Sequence, residues 1–405
     1  MVSEMIDYVA AAVGIVLVFV AAVFFFNGMV TNGVAYATIR NQALQAQSLF
    51  DYILLTTGSP ANWGTSYQTP SAFGLAAPYS QPYTLSAFSV NRLIKPFIQT
   101  IGNTNYYVEN TTGTLVIVPK NYYVNYTYVK QILNITGKFE FQITIQPLLS
   151  VRVIPLNSPR SFNVLVNSYS GVPMEYASVT GILIFPQKTN PNSPSEILTF
   201  SNTTSANQQG SAKLVFSNAP TNMNVGYYVL VTVNAGGLTG KGYYTNINPS
   251  QTLAYVALYP NQVNITQHCA VQNSPPCGVD VFNATLLIPN GASGYSLKQL
   301  VCSSNSINAG QGQGNTKKYA TCNFQLIDGF IAIAIQQVGN SQINSDPQIL
   351  LVPLGLNQVG GAVVYGANPK GSVAAFTLSR VVQIGGVSYA VNVVYWSDYG
   401  PVYGG

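Results

Sequence analysis

Tyr8 to Phe26 is an unbroken run without a charge, and no charged residue stands between Asp7 and Arg40. A hydrocarbon core of roughly 30 Å needs about 20 helical residues to cross, so Tyr8 to about Val30 predicts one membrane-spanning helix. A cleavable secretory signal fits less well. Its shorter apolar region follows a basic segment, whereas Met1 to Asp7 holds Glu4 and Asp7 and neither Lys nor Arg. Asn27-Gly28 and Asn32-Gly33 weaken the helix. Beyond them Ala43, Ala46, Phe50, Ile53 and Leu54 recur at helical spacing with polar residues between, the pattern of an amphipathic continuation. Gly58 and Pro60 supply a stop, so residues 1–58 read as an apolar helix with an amphipathic stalk.

Downstream the period falls to two. Phe139 to Gln146 alternates apolar and polar positions throughout, as a half-buried strand does. Together with the run Leu115 to Val118 and a helical candidate over Ser86 to Ile101, interrupted by Pro96, it suggests a small α+β unit over 65–148. Short apolar runs then recur at 151–153, 162–166, 179–185, 212–216, 227–233 and 253–259 between Gly, Pro, Asn and Ser clusters. That spacing predicts an immunoglobulin- or transthyretin-like β-sandwich over 149–259. Runs at 284–288, 330–335, 349–352 and 362–365 precede a hairpin of 380–384 and 389–396 about Gly385-Gly386, so 260–405 reads as a second β domain. The predicted class is mainly β, with a long N-terminal helix, a small α+β unit and two sandwich-like domains.

Composition adds location. Asp, Glu, Lys and Arg make up 7% of the 405 residues, against roughly 25% in ordinary soluble domains. A surface this poor in charge holds water through Asn, Gln, Ser, Thr and Tyr, the habit of exterior proteins. The 16 basic residues are dispersed and form no stripe able to neutralise a row of phosphates, which argues against nucleic acid as a partner.

Cys269, Cys277, Cys302 and Cys322 cluster in the last predicted β domain. An even count on an exterior domain predicts disulfides, and proximity favours Cys269 with Cys277 and Cys302 with Cys322. Free thiols and a zinc site with His268 are the alternatives. The spacings between the four cysteines match no paired Cys-x-x-Cys pattern. Asn-x-Ser/Thr acceptors for N-glycans stand at Asn110, Asn125, Asn134, Asn202, Asn264 and Asn283, all past the apolar helix. His268 is the one histidine, which leaves a single candidate base for a nucleophile triad. Gly310 to Gly314 lacks the Lys-Ser/Thr of a phosphate loop. No enzyme, metal or cofactor is expected.

Val2-Ser3-Glu4 leading into a long apolar helix, and the stalk ending in Leu55-Thr56-Thr57-Gly58-Ser59-Pro60-Ala61-Asn62-Trp63-Gly64, resemble archaeal type IV pilin-like surface proteins over positions 1–64. The resemblance implies that the apolar helix sits in the membrane before assembly and in a filament core afterwards, with Glu4 as the early acidic residue near the mature N-terminus. Family precursors carry a short basic leader, and Met1 to Ser3 contains no basic residue. Small side chains at Ala10, Gly14, Ala21 and Ala22 would let helices approach closely. The expected function is therefore structural: a subunit of an extracellular filament or surface assembly, self-associating or membrane-held through residues 8–30. The alternative is a monomeric tethered module that binds glycans or surface-layer components.

Overall fold

The computed structural model describes residues 2–101, 104–110, 112, 114–135, 137, 139–188, 195–221, 225–247, 254–267, 278–289, 295–302, 306–307, 319–325, 327–338, 347–356, 361–369 and 375–397. The protein is mainly β with a long N-terminal helix. One unbroken helix, Val2–Leu55, spans 54 residues, about 80 Å at 1.5 Å per residue. It passes through both Asn-Gly pairs. Thr31 and Thr38 bond their hydroxyls back to the carbonyls of Asn27 and Val34, at 2.6 and 2.8 Å.

The last turns of this helix dock on a five-stranded head sheet with the order Thr84–Leu85, Ala375–Ile384, Val387–Ser397, Phe139–Pro147 and Val363–Gly366. The helix offers Ala46, Phe50, Ile53 and Leu54, and the sheet answers with Phe141, Ile143, Ile145, Val391 and Val393, one face of each alternating strand. The Gly385-Gly386 turn holds φ of 56° and 73°, which is the conformation a two-residue hairpin demands.

Behind the head, four sheets stack face to face. A three-stranded sheet (Leu149–Pro155, Ser161–Ser168, Ser211–Val215) packs on a four-stranded one (Ser178–Lys188, Ser195–Ser205, Tyr228–Ala235, Leu238–Thr245) around Phe162, Val164, Leu183 and Val231. The opposite face of the second sheet, with Ile182, Ile184, Tyr228 and Leu230, meets Phe330, Ala332, Ile349 and Leu351 of the next. That sheet contains Gly278–Pro289, Tyr295–Gln299, Gly329–Val338 and Gln348–Leu354. It turns Ile331, Ile333 and Ile335 onto a six-stranded sheet through Val116, Val256 and Ile265. Phe330 to Ile335 is apolar at every position because both of its faces are covered.

The pairings tie distant stretches together. Phe139–Pro147 lies beside Val387–Ser397, and Leu115–Val118 runs parallel to Ala254–Tyr259. Sheets thus cross the positions 148 and 259, where the sequence pattern suggests divisions. Ser86 to Ile101 does not form one helix. The helix is Ala87–Asn91 and Phe97–Ile101 is a strand, with Pro96 between them removing the backbone donor a helix needs.

Candidate functional site

From Ala11 to Asn41 every described residue except Gly14 is exposed, including Ile15 at 71% and Phe24 at 73%. The helix is long and apolar enough to cross a membrane. At 100° per residue, Gly14, Val18, Ala21, Phe25, Gly28 and Ile39 share the face that Ala46, Phe50 and Ile53 press onto the head. The docking face therefore continues in register for about seven turns without a partner among the described residues. Nothing lies within 4 Å of where a side chain at Gly14 or Gly28 would stand. Phe19, Val23, Phe26 and Val30 fall on the opposite face, so the bare helix has one wholly bulky side and one, the small side, on which Gly14, Ala21 and Gly28 alternate with the larger Val18 and Phe25. Ala22 lies about 100° from Ala21, beside the bulky ridge. Glu4 and Ala10 lie within the helix, and their side chains are outside the described residues. Gly28 completes the small side. Its asparagine neighbour makes it read as a helix-weakening pair in sequence, although its heptad spacing from Gly14 and Ala21 marks the shared face.

The stalk motif at 55–64 builds the joint between helix and head. Trp63 donates its indole N–H to the carbonyls of Thr57 and Gly74, at 3.0 and 3.1 Å. A Cβ on Gly58, which holds φ of 76°, would meet the Trp63 indole nitrogen at 2.9 Å. Arg92 lies at the centre of the joint. Its guanidinium donates to the carbonyls of Trp63, Gln68, Asn121 and Tyr122 and lies 5.2 Å from the centroid of the Trp63 ring. Desolvation lowers its pKa to about 10, against a smaller opposing pull from Tyr122 and Tyr67. In sequence, a lone arginine between Asn91 and Leu93 gives no sign of this role.

Ionisable groups also meet where three sheets converge. Lys241 donates to the carbonyl of Gly385 at 2.9 Å, and Asp328 lies so close to Gly385 that a side chain there would strike its carboxylate. Burial raises the Asp328 carboxyl and lowers the Lys241 ammonium, and each is partly offset by the other's charge. Burial pushes the nearby Tyr389 and Tyr295 hydroxyls up. The enclosed space is about 30 Å³, room for water rather than a substrate. Its chemistry is that of a junction between sheets.

Cys302 and Cys322 are joined in a disulfide. Cys269, Cys277 and His268 lie outside the described residues. Among the described residues no group of three His, Cys, Asp or Glu side chains is placed to hold a metal ion. Asn125 is exposed and caps the helix Tyr126–Ile132, accepting from Thr127 N at 2.8 Å. Asn134 is exposed past the other end of that helix. Asn202 is half-buried and donates its amide to the carbonyl of Val215 at 2.7 Å. Asn264 accepts from the Thr321 hydroxyl at 2.9 Å on an inner strand. Asn110 and Asn283 lie on strands, with side chains outside the described residues.

No protein-family model matches the chain, and no curated protein sequence matches it. Among solved structures, trypsin-activated alpha-2-macroglobulin from Escherichia coli overlays on 59% of this chain and 19% of its own, at 10% identity and a TM-score of 0.18. The native conformation of the E. coli protein overlays on 59% of this chain and 18% of its own, at 9% identity and a TM-score of 0.19. Overlays this loose carry no argument about activity.

Proposed function

We propose that the chain is a structural, pilin-like cell-surface subunit: the N-terminal helix is held in a membrane or packed among its copies, and the β-rich body faces outward. The observation that carries this reading is the bare helix. Each Val, Leu, Ile or Phe left in water forgoes about 1.5–3 kcal/mol of burial, and residues 11–41 expose a long series of them. The small side through Gly14, Ala21 and Gly28 supports close helix packing, and the disulfide supports an oxidising exterior. The stacked β body is then the exposed, sugar-bearing part of the assembly.

A second reading keeps the helix in the bilayer as the anchor of a monomeric binding module. It is favoured by the belt of Asn27, Thr31 and Asn32, which follows a run from Tyr8 to Phe26 that by itself matches a bilayer core. Electron microscopy of material sheared from native cells, with mass spectrometry of the filaments, separates the two. Filaments containing the chain with residues 8–30 intact support the subunit. A chain found with membranes and never in filaments supports the anchor.

A further inference from the structure

The helix Tyr126–Ile132 ends against a groove of about 580 Å³ between the long helix and the head. Gln45, Ser48 and Tyr52 of the long helix form one wall, Phe139 and Tyr395 of the head sheet the other, and Asn134 stands on the rim. The Phe139 and Tyr395 rings stack with centroids 5.3 Å apart and planes within 4°, and the Tyr395 hydroxyl bonds the Gln45 amide oxygen at 3.2 Å. The volume is that of a small-molecule site. Its lining is mixed: flat rings suit the C–H faces of a sugar, while amide and hydroxyl groups suit its hydroxyls.

Asn134 is also set up as an acceptor. It holds φ of 53° as the left-handed residue of a helix-ending motif, in which its own N–H bonds the Gln131 carbonyl and the Ile135 N–H bonds that of Lys130, the pattern usually completed by glycine. Its side chain is exposed, makes no hydrogen bond among the described residues, and begins the sequon Asn134-Ile135-Thr136. The amide nitrogen of Asn202, by contrast, is already committed to Val215.

We propose that Asn134 carries an N-linked saccharide whose first sugars lie in this groove and brace the long helix against the head. The proposal rests on the exterior placement of the body. The donor is a polyprenyl-phosphate-linked saccharide. The Asn134 nitrogen bonds to the sugar C1 as the C1–O bond to phosphate breaks, the phosphate leaves with the electron pair, and the amide proton passes to the base of the transferase. The change is a substitution at C1 that needs no oxidant or reductant.

The test uses the full chain purified from its native cells. Asn134→Gly keeps the helix end and removes the acceptor, Thr136→Ala removes the sequon alone, and Thr136→Ser restores it. Peptide mass spectrometry is expected to find sugar on Asn134 in the wild type and Thr136→Ser only. Amide exchange over residues 45–55 is expected to be several-fold faster in Asn134→Gly and Thr136→Ala. A bare Asn134 on a body that an impermeant label reaches from outside intact cells overturns the proposal and leaves the surface reading standing. A bare Asn134 on a body the label cannot reach overturns both. Sugar on Asn134 with unchanged exchange in the variants overturns the docking.

Discussion

Arg92 reaches the Trp63 ring with its guanidinium 5.2 Å from the ring centroid, while giving its N–H groups to backbone carbonyls of residues 63, 68, 121 and 122. All of these acceptors are carbonyls, so a planar fork of donors is the feature the site requires. Arg92→Met is expected to leave those carbonyls unpaired, at about 1–3 kcal/mol for each one kept from water, read as a fall in the urea midpoint. Arg92→Lys keeps the charge but loses the fork, and should recover only part of that. Equal stability of the lysine variant and the wild type would show that charge, and not geometry, matters here.

The same residue fixes a sign for alkaline pH. The folded pKa of about 10 lies below the ordinary arginine value, so between the two the unfolded chain binds more protons and stability from this group rises with pH. The wild type should therefore lose less stability than Arg92→Met as pH climbs through 10, in paired denaturant titrations.

Much of the fold is readable wherever burial imposes a period. Phe330 to Ile335 is visible as an uninterrupted apolar run, and the final hairpin as alternation around two glycines. Leu238–Thr245 is not, since Gly240 and Gly242 replace the apolar positions. A side chain at either would press on Leu149 or Val151 of the facing strand, so tertiary crowding overrides local β propensity there. The pairing of 139–147 with 387–397 joins segments from opposite halves of the chain, which no local pattern reports. At the candidate site, the bare helix and its docking residues are legible from spacing, whereas the Arg92 joint and the Asn134 groove depend on contacts across the chain.

Asp328 and Lys241 oppose each other in pH. The raised Asp328 carboxyl means the folded state binds more protons from 3.8 up to its folded value, so stability from this group falls as pH rises through that window. The lowered Lys241 ammonium gives stability that rises from its folded value to 10.5. Asp328→Asn should flatten the acid-side slope and, by removing the charge that partly holds Lys241 up, start the alkaline rise at lower pH. A slope unchanged by the substitution would place the acid-sensitive group elsewhere.

The disulfide joins residues 20 apart in sequence. Closing a loop of that size restrains the unfolded chain by about 3 kcal/mol. Cys302→Ala with Cys322→Ala should lower the unfolding free energy by that order, and reduction of the wild type, which also opens the expected Cys269–Cys277 bond, should lower it by at least as much. Loss in the double variant without loss on reduction would trace the effect to packing around buried Cys322.

Gly14 and Gly28 separate assembly from folding. Neither has a neighbour within 4 Å of where a side chain would stand, so leucine there disturbs no contact among the described residues. Gly→Leu inside a helix is favoured by roughly 0.8 kcal/mol on propensity alone, and the melting temperature should hold or rise. If copies pack through the side that carries Gly14, Ala21 and Gly28, the new side chains hold the helices apart and filaments should disappear while monomer accumulates in the membrane. Phe19→Leu, on the opposite face, controls for a general change in apolarity and should assemble. Filaments that form normally from Gly14→Leu and Gly28→Leu would remove the small side as the interface and leave the bulky ridge of Phe19, Val23, Phe26 and Val30 as the surface to test.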